Sequence, residues 1–363
     1  MDKAIIITTI NPPKDEIHKF AKIPGWKLIC VGDTKTPLDW QADNVDYISP
    51  EMQDRLFPLF SKVFPWGLYA RKNLGYLYAI KSGAKLVAET DDDMFPDKGY
   101  PPDLSLERTV TVLSGKKFIN VYPHFLKTPP DHPVWIRGFP LECLKDQEPV
   151  REKKEKVITP IQNSVLDKNS DFDAVYRFLY PEWLELKKEG EYAIDKGSYA
   201  PFNTQNTFFH EVAFPLLYLP ATPGFHAEDI IRSYIAQRLV WEIDGRLVFT
   251  PPVQHTLNRN PHDNLDDFRL EVPVFLKVKQ LVEILDSLSL SKDLLDSLLK
   301  TYTILVRKEF FPKEELPIVT AWVCEMEELL TTKDKPKKPT IPFRGLVDYT
   351  TGEPKYLWGS RKA

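Results

Sequence analysis

The first ninety residues pass repeatedly from short β-branched runs to stretches of helical periodicity, the pattern of strands joined through crossover helices. Residues 4–10 (AIIITTI) read as a buried strand stopped by Asn11-Pro12-Pro13, and residues 26–31 (WKLICV) as a second strand opening into Gly32-Asp33-Thr34. The helical stretch 15–22 between them completes a βαβ unit. Over 67–84, Leu68, Leu74, Leu77, Tyr78 and Ile80 recur near helical spacing, with Gly83 placed to end the helix. A third strand, 85–89, then delivers Thr90-Asp91-Asp92-Asp93 to its carboxyl end, where open α/β sheets bind their ligands.

From about 98 to 220 the chain is rich in Pro, aromatics and short strand-like runs such as 118–122, and this part is expected to build the substrate side. The charged run 151–156 (REKKEK) reads as a solvated loop. A helix over 228–240, a strand over 246–250 and two or three amphipathic helices within 272–330 follow, the last forming a C-terminal cap. Past Thr331 the sequence is polar and Pro/Lys-rich. The expected organisation is a catalytic domain over 1–270, with a nucleotide-binding half (1–97) and an acceptor half (98–270), a helical region over 271–331 and a tail over 332–363.

Composition narrows the class. Hydrophobic residues at 42% and charged residues at 28% exclude a disordered chain or a coiled coil. With 48 Lys and Arg against 52 Asp and Glu the net charge is −4, so nucleic-acid binding is not expected. Cys30, Cys143 and Cys324 lie far apart and lack metal-knuckle spacing, which suits reduced thiols. The apolar start is too short for a signal peptide, and the window 212–219 is broken by Pro215. No transmembrane segment and a cytoplasmic location are expected.

Asp91 and Asp93 offer carboxylates at alternate positions of an extended turn, suited to one hard divalent cation, Mn²⁺ or Mg²⁺, that shares diphosphate oxygens. Such a cation stabilises a diphosphate leaving group, which points to a nucleotide-sugar donor. Arg71, Lys72 and Asn73 are candidates for the phosphates, ribose or base, together with Thr9, Asn11, Asp33 and Asp92 at the strand ends. Glu228 and Asp229 open a helix and are candidates for a general base, although acids are also favoured there by the helix dipole. His262 is a candidate metal ligand, and His255 shares its polar segment. Arg137, Asn203, Gln205, Asn206, Arg232 and His255 are candidates for the substrate. No phosphate-loop, Gly-x-Ser-x-Gly or His-Glu-x-x-His motif is present.

Several segments together resemble the STELLO-type glycosyltransferase family, related to the reversibly glycosylated polypeptides that act as UDP-arabinopyranose mutases. They are VGDTKTP (31–37), RKNLGYLYAI (71–80), DDD (91–93), WIRGFPL (135–141), DFDAVYR (171–177), NTQNT (203–207) and DIIR (229–232). Their order is kept over roughly residues 4–270. The resemblance implies a GT-A-like nucleotide-diphospho-sugar transferase fold, with Asp91 and Asp93 on the metal, Asp33 and Arg71 in the nucleotide pocket, and Asp229 near the acceptor. It implies a metal-dependent transfer of a sugar from a UDP-sugar to a glycan or other hydroxyl acceptor. A UDP-sugar mutase and an inactive scaffold of a glycosyltransferase complex are the alternatives. Ile136 departs from the family's Trp-Pro-Arg-Gly pattern, and Phe139 replaces the Tyr of the mutases' Arg-Gly-Tyr-Pro segment, so self-glycosylation is not expected. The membrane-anchored N-terminal region of the plant proteins has no counterpart among these segments.

Overall fold

In the computed structural model, which describes residues 1–146, 148–167, 171–180, 184–224, 226–256 and 264–331, strand β1 (Lys3–Thr8) is buried on both faces. That double burial is why it reads as an unbroken apolar run. Its side chains divide by parity: Ala4 and Ile6 enter the core on one side of the sheet, Ile5 and Ile7 the core on the other. Helix α1 (Asp15–Phe20) covers the second side with Ile17 and Phe20 and returns the chain to β2 (Lys27–Val31), parallel to β1. β3 (Val45–Ile48) continues the parallel set. Helices α2 (Pro50–Leu56) and α3 (Pro58–Val63) lead to α4 (Lys72–Lys81), which packs on the first side against β1 and β2.

Gly75 sets how closely α4 approaches the sheet. A Cβ there would lie 2.5 Å from Ile6 Cγ2 and 2.7 Å from Val31 Cγ2, closer than carbon atoms pack. β4 (Leu86–Glu89) then pairs parallel to the free edge of β1, so the carboxyl ends of β1, β2 and β4 share one margin of the sheet.

The rest of the chain adds β5 (Phe95–Pro96), β6 (Glu107–Ser114), α5 (Tyr122–Phe125), β7 (Arg151–Ser164), α6 (Ala174–Leu179), β8 (Tyr192–Ile194) and β9 (Thr207–His210). Then come α7 (Glu228–Val240), β10 (Gly245–Thr250), β11 (Gln254–His255), α8 (Asn264–Asp286), α9 (Leu294–Arg307) and α10 (Glu315–Thr331). Among the described residues nine strands form one mixed sheet in the order β10-β8-β6-β7-β9-β4-β1-β2-β3, and β10 also pairs with β7. β5 and β11 form a separate two-stranded ribbon.

The βαβ start, the strand before the acidic triplet, the helix over 228–240 and the three C-terminal helices agree with the sequence reading. Four local expectations change. The charged run 151–156 is not a loop but the first half of β7, antiparallel to β6; its side chains are largely exposed, so its charges stay in water while the backbone is paired. Residues 118–122 form no strand, only one bridge from Phe118 to Tyr199 before α5 begins at Tyr122. The helix expected over 67–84 starts at Lys72 after a single 3₁₀ turn. α8 begins at Asn264 and so crosses the expected boundary at 270. The tail over 332–363 lies outside the described residues. The three cysteines are free thiols, with Cys30 buried, and no described helix is long and apolar enough to cross a membrane.

Gly75→Val tests the α4 contact. It is expected to destabilise the fold by about 1–3 kcal/mol through overpacking, read from the urea midpoint at unchanged m-value. An unchanged midpoint would show that α4 can move away from the sheet at little cost.

Candidate active site

A cavity of about 450 Å³ opens at the carboxyl margin of the parallel strands. One wall carries Thr9, Asn11, Asp33, Gly67 and Asp91 to Asp93; the facing wall carries Arg137, Asp171, Glu228 and Asp229. Parallel pairing brings the ends of β1, β2 and β4 together, and this explains why residues eighty positions apart meet there.

On the first wall each acid has a distinct support. Asp92 accepts hydrogen bonds from Thr9 Oγ1 at 2.6 Å and Asn11 Nδ2 at 3.0 Å, which pins the triplet to the end of β1. Asp91 Oδ1 accepts from the Lys72 ammonium at 2.8 Å and from the Tyr69 hydroxyl. Lys72 also donates to the Thr90 carbonyl at 2.7 Å and to Tyr69, whose hydroxyl lies 2.6 Å from Thr204 Oγ1. Asp33 accepts the backbone N–H groups of Thr34 and Gly67, tying the turn after β2 to the segment before α4.

The second wall is built on Arg137. Its guanidinium donates to Asp171 at 2.9 Å, to Asp229 at 2.8 Å and to the His226 carbonyl at 2.8 Å. Burial opposes its charge, but the two carboxylates outweigh burial and hold it protonated. Gly138, at φ +87°, lets the turn pass against Ile230 of α7, where a Cβ would collide. Glu228 is buried beside Asp229, and burial first, then that neighbouring carboxylate, push its pKa up to about 8. Two adjacent acids are thus set apart: Asp229 is paired with a cation, while Glu228 holds its proton near neutral pH.

Several candidate residues lie elsewhere. Arg71 reaches the cavity wall, but four of its five N–H donors are engaged by Gln53, Ser61 and the Phe64 carbonyl, and its guanidinium stacks 3.3 Å from the Trp66 ring centroid. Burial lowers its pKa to about 10, so it serves the wall's own packing. Lys72 is fully buried behind Asp91. Asn73 pairs its amide with both backbone groups of Leu219, clamping that segment to α4. Arg232 is buried against Glu89. Asn206 accepts from Gln254, and Asn203 donates to Asp171, so both sit behind the wall while Gln205 lines it. His255 is on β11, 2.5 Å from Asp97, away from the cavity. His262 lies outside the described residues.

The cavity also contains residues absent from the candidate set, including Lys35, Tyr69, Phe172, Arg177, His226 and Glu271. Phe172 and Arg177 belong to the 171–177 segment that carried the family resemblance. Glu271 had a subtler signal: Asp267 and Glu271 occupy buried positions on the α8 stripe continued by Val274, Val278 and Leu281. Acids on an apolar stripe mark a buried polar site.

Among the described residues no group of three or more His, Cys, Asp or Glu side chains could hold a metal ion. Asp91 and Asp93 both face the cavity, and a hard cation such as Mg²⁺ needs only one or two carboxylates when ligand oxygens and water complete its shell. The donor set therefore fits a cation bound together with a phosphate ligand.

A cleft at the carboxyl ends of parallel strands, walled by acids, defines an α/β protein with its ligand site at the strand ends. Two Arabidopsis thaliana proteins, Probable glycosyltransferase STELLO1 and Probable glycosyltransferase STELLO2, are each 26% identical to it over 352 and 347 residues. The matches cover 90% of this chain and 44% of each relative. The chain thus spans less than half the length of these curated relatives. No protein-family model matches. A mycobacterial protein of known crystal structure aligns over 76% of this chain and 74% of its own at 13% identity, with a TM-score of 0.40.

Arg137→Leu is expected to destabilise the protein by about 3–5 kcal/mol, because Asp171 and Asp229 would remain buried without their cation. The exposed cavity residue Lys35 provides the control: Lys35→Ala is expected to stay within about 0.5 kcal/mol. Equal urea midpoints for the two variants would contradict the role given to Arg137.

Proposed function

We propose that the protein is a metal-dependent glycosyltransferase of GT-A-like fold that moves a sugar from a nucleotide diphosphate, a UDP-sugar, to a hydroxyl of a glycan acceptor. The observation that carries this reading is the acidic triplet at the end of β4 facing Glu228 and Asp229 across one cavity. Similarity to two probable glycosyltransferases along nine-tenths of the chain supports it.

In this reading Asp91 and Asp93 would hold Mn²⁺ or Mg²⁺ together with the diphosphate, and a cation bound there would supply charge neutralisation for the leaving diphosphate. Lys72 fixes the Asp91 carboxylate from behind, and Asp92, held by Thr9 and Asn11, keeps the turn in register. Asp33 and the Gly67 segment bound the nucleoside end. Across the cavity Asp229 orients Arg137. Glu228, more basic because of its burial, takes the proton from the acceptor hydroxyl as the new glycosidic bond forms.

Calorimetric titration of UDP with Mn²⁺ is expected to show binding that disappears with EDTA. Asp91→Ala together with Asp93→Ala is expected to weaken it at least tenfold. UDP binding unaffected by chelation or by the double variant would refute the metal site.

The pH dependence follows from Glu228. As a base it acts only when ionised, so kcat/KM is expected to rise with pH and level off above about 8. Glu228→Gln is expected to abolish that limb and lower the rate by roughly 10²–10⁴. A limb that survives in the variant would reassign the base. Stability moves the opposite way: the fold retains this proton better than the unfolded chain, whose Glu titrates near the ordinary value of 4.5. The contribution of Glu228 is therefore full below about 4.5 and is lost as pH rises toward 8.

A further inference from the structure

The cavity is also lined by Arg177 of α6, Glu271 of α8 and His226 in the segment before α7. Arg177 NH1 lies 2.9 Å from Asp267 and NH2 lies 3.7 Å from Glu271. His226 faces the same two acids, with Nε2 3.6 Å from Asp267 and Nδ1 3.8 Å from Glu271. His226 has a left-handed backbone, φ +69°, and its carbonyl is held by Arg137, which fixes the ring at this position. Glu271 is 1% exposed; its Oε2 accepts the Ala174 N–H at 2.8 Å, and its Oε1 has no hydrogen-bond partner among the described residues.

A buried carboxylate oxygen without a donor is costly, and Glu271 belongs to the lining of a cavity large enough for a ligand. The Arg177 and His226 nitrogens stand 3.7 and 3.8 Å from Glu271 Oε1, beyond hydrogen-bond length, so they approach that oxygen without satisfying it. A hydroxyl bridges such gaps, donating to a carboxylate while accepting from a cation. Two acids stand against the single Arg177 cation, leaving no surplus positive charge for an anionic ligand. Phe172, stacked on Tyr176 with ring centroids 4.0 Å apart, adds an apolar face to the same cavity. Adjacent hydroxyls on one edge and C–H groups on one face describe a sugar ring.

We infer that Glu271, His226, Arg177 and Phe172 form an acceptor subsite for a neutral sugar ring, supplied in part by the C-terminal helix α8. The inference rests on the transferase reading for its role but not for its chemistry. It makes the C-terminal helical region part of the site: α8 carries the carboxylate that selects the acceptor, so a chain cut before α8 would lose that subsite as well as a packing element.

The test is saturation-transfer NMR on the full chain, in the presence and absence of UDP and Mn²⁺, with xylotriose and cellotriose as neutral probes and a Ser/Thr-rich peptide as competitor. The expected result is contact with at least one trisaccharide. Glu271→Gln and His226→Asn, the latter chosen because Asn tolerates φ > 0, are each expected to weaken it about tenfold or more. UDP affinity and the thermal midpoint should stay within twofold and a few degrees respectively, which separates a subsite loss from unfolding. No trisaccharide contact, contact indifferent to both variants, or contact with the peptide alone overturns the subsite. Failure of UDP to bind the parent protein overturns the donor reading separately, because trisaccharide contact is scored without nucleotide as well.

Discussion

The buried pair between Arg232 and Glu89 is the constraint on which the geometry of the cavity depends. Glu89 is the last residue of β4, immediately before Thr90 and the acidic triplet, and Arg232 lies one helical turn after Glu228 and Asp229. Their side chains are almost wholly buried; the guanidinium lies against both the Phe202 and Phe209 rings, 5.3 and 5.2 Å from their centroids, and the Tyr76 hydroxyl donates to Glu89. Charges in so apolar a setting persist only when paired, so neither partner can move alone. One bonded contact therefore sets the triplet at a defined distance from the acids of α7. It also explains why Arg232, which looks like a ligand-binding residue in sequence, never reaches the cavity.

The same economy governs both walls. Lys72 is buried with all three of its N–H donors engaged, by Asp91, Thr90 and Tyr69, so it acts as an internal counter-charge to Asp91 without itself facing a ligand. Arg137 plays the corresponding part for Asp171 and Asp229. Each wall brings its own cation and places its acids on the cavity side. The exception is Glu228, which has no cation of its own and retains its proton instead. An acid set apart in this way from its neighbours supports the proton-transfer role proposed for Glu228.

The parallel half of the fold and the triplet were legible in the sequence because they rest on local signals: β-branched runs, a crossover helix, and acids placed directly after a strand. What escaped was decided by side-chain direction. Arg71, Lys72 and Asn73 are consecutive on a helix start that does approach the site, yet all three turn inward, toward Gln53, Asp91 and Leu219. Sequence places their backbone and is silent on which neighbour completes them. The charged run in β7 misled for a related reason, since strand pairing satisfies its backbone while its side chains remain in water. Glu271 escaped because it comes from a region read as a cap, and only the packing of α8 on α6 and α7 brings it into the cavity.

The extent of the cavity bears on the choice among a transferase, a mutase and an idle scaffold. A mutase interconverting ring forms of one nucleotide sugar works on a single ligand and has no use for a polar pocket beyond the reacting sugar. Here the lining of the cavity includes Phe172, Arg177 and Glu271 as well as Arg137, with one buried carboxylate oxygen that has no donor among the described residues. On the transferase reading proposed above, that space would take the second substrate. A scaffold would gain nothing from leaving Glu228 buried and protonated beside Asp229, an arrangement that costs stability as pH rises and yields only a basic group at the junction of the two halves. Glu228 lines the same cavity as the acidic triplet and Glu271, the arrangement that the proposed transfer between two substrates requires.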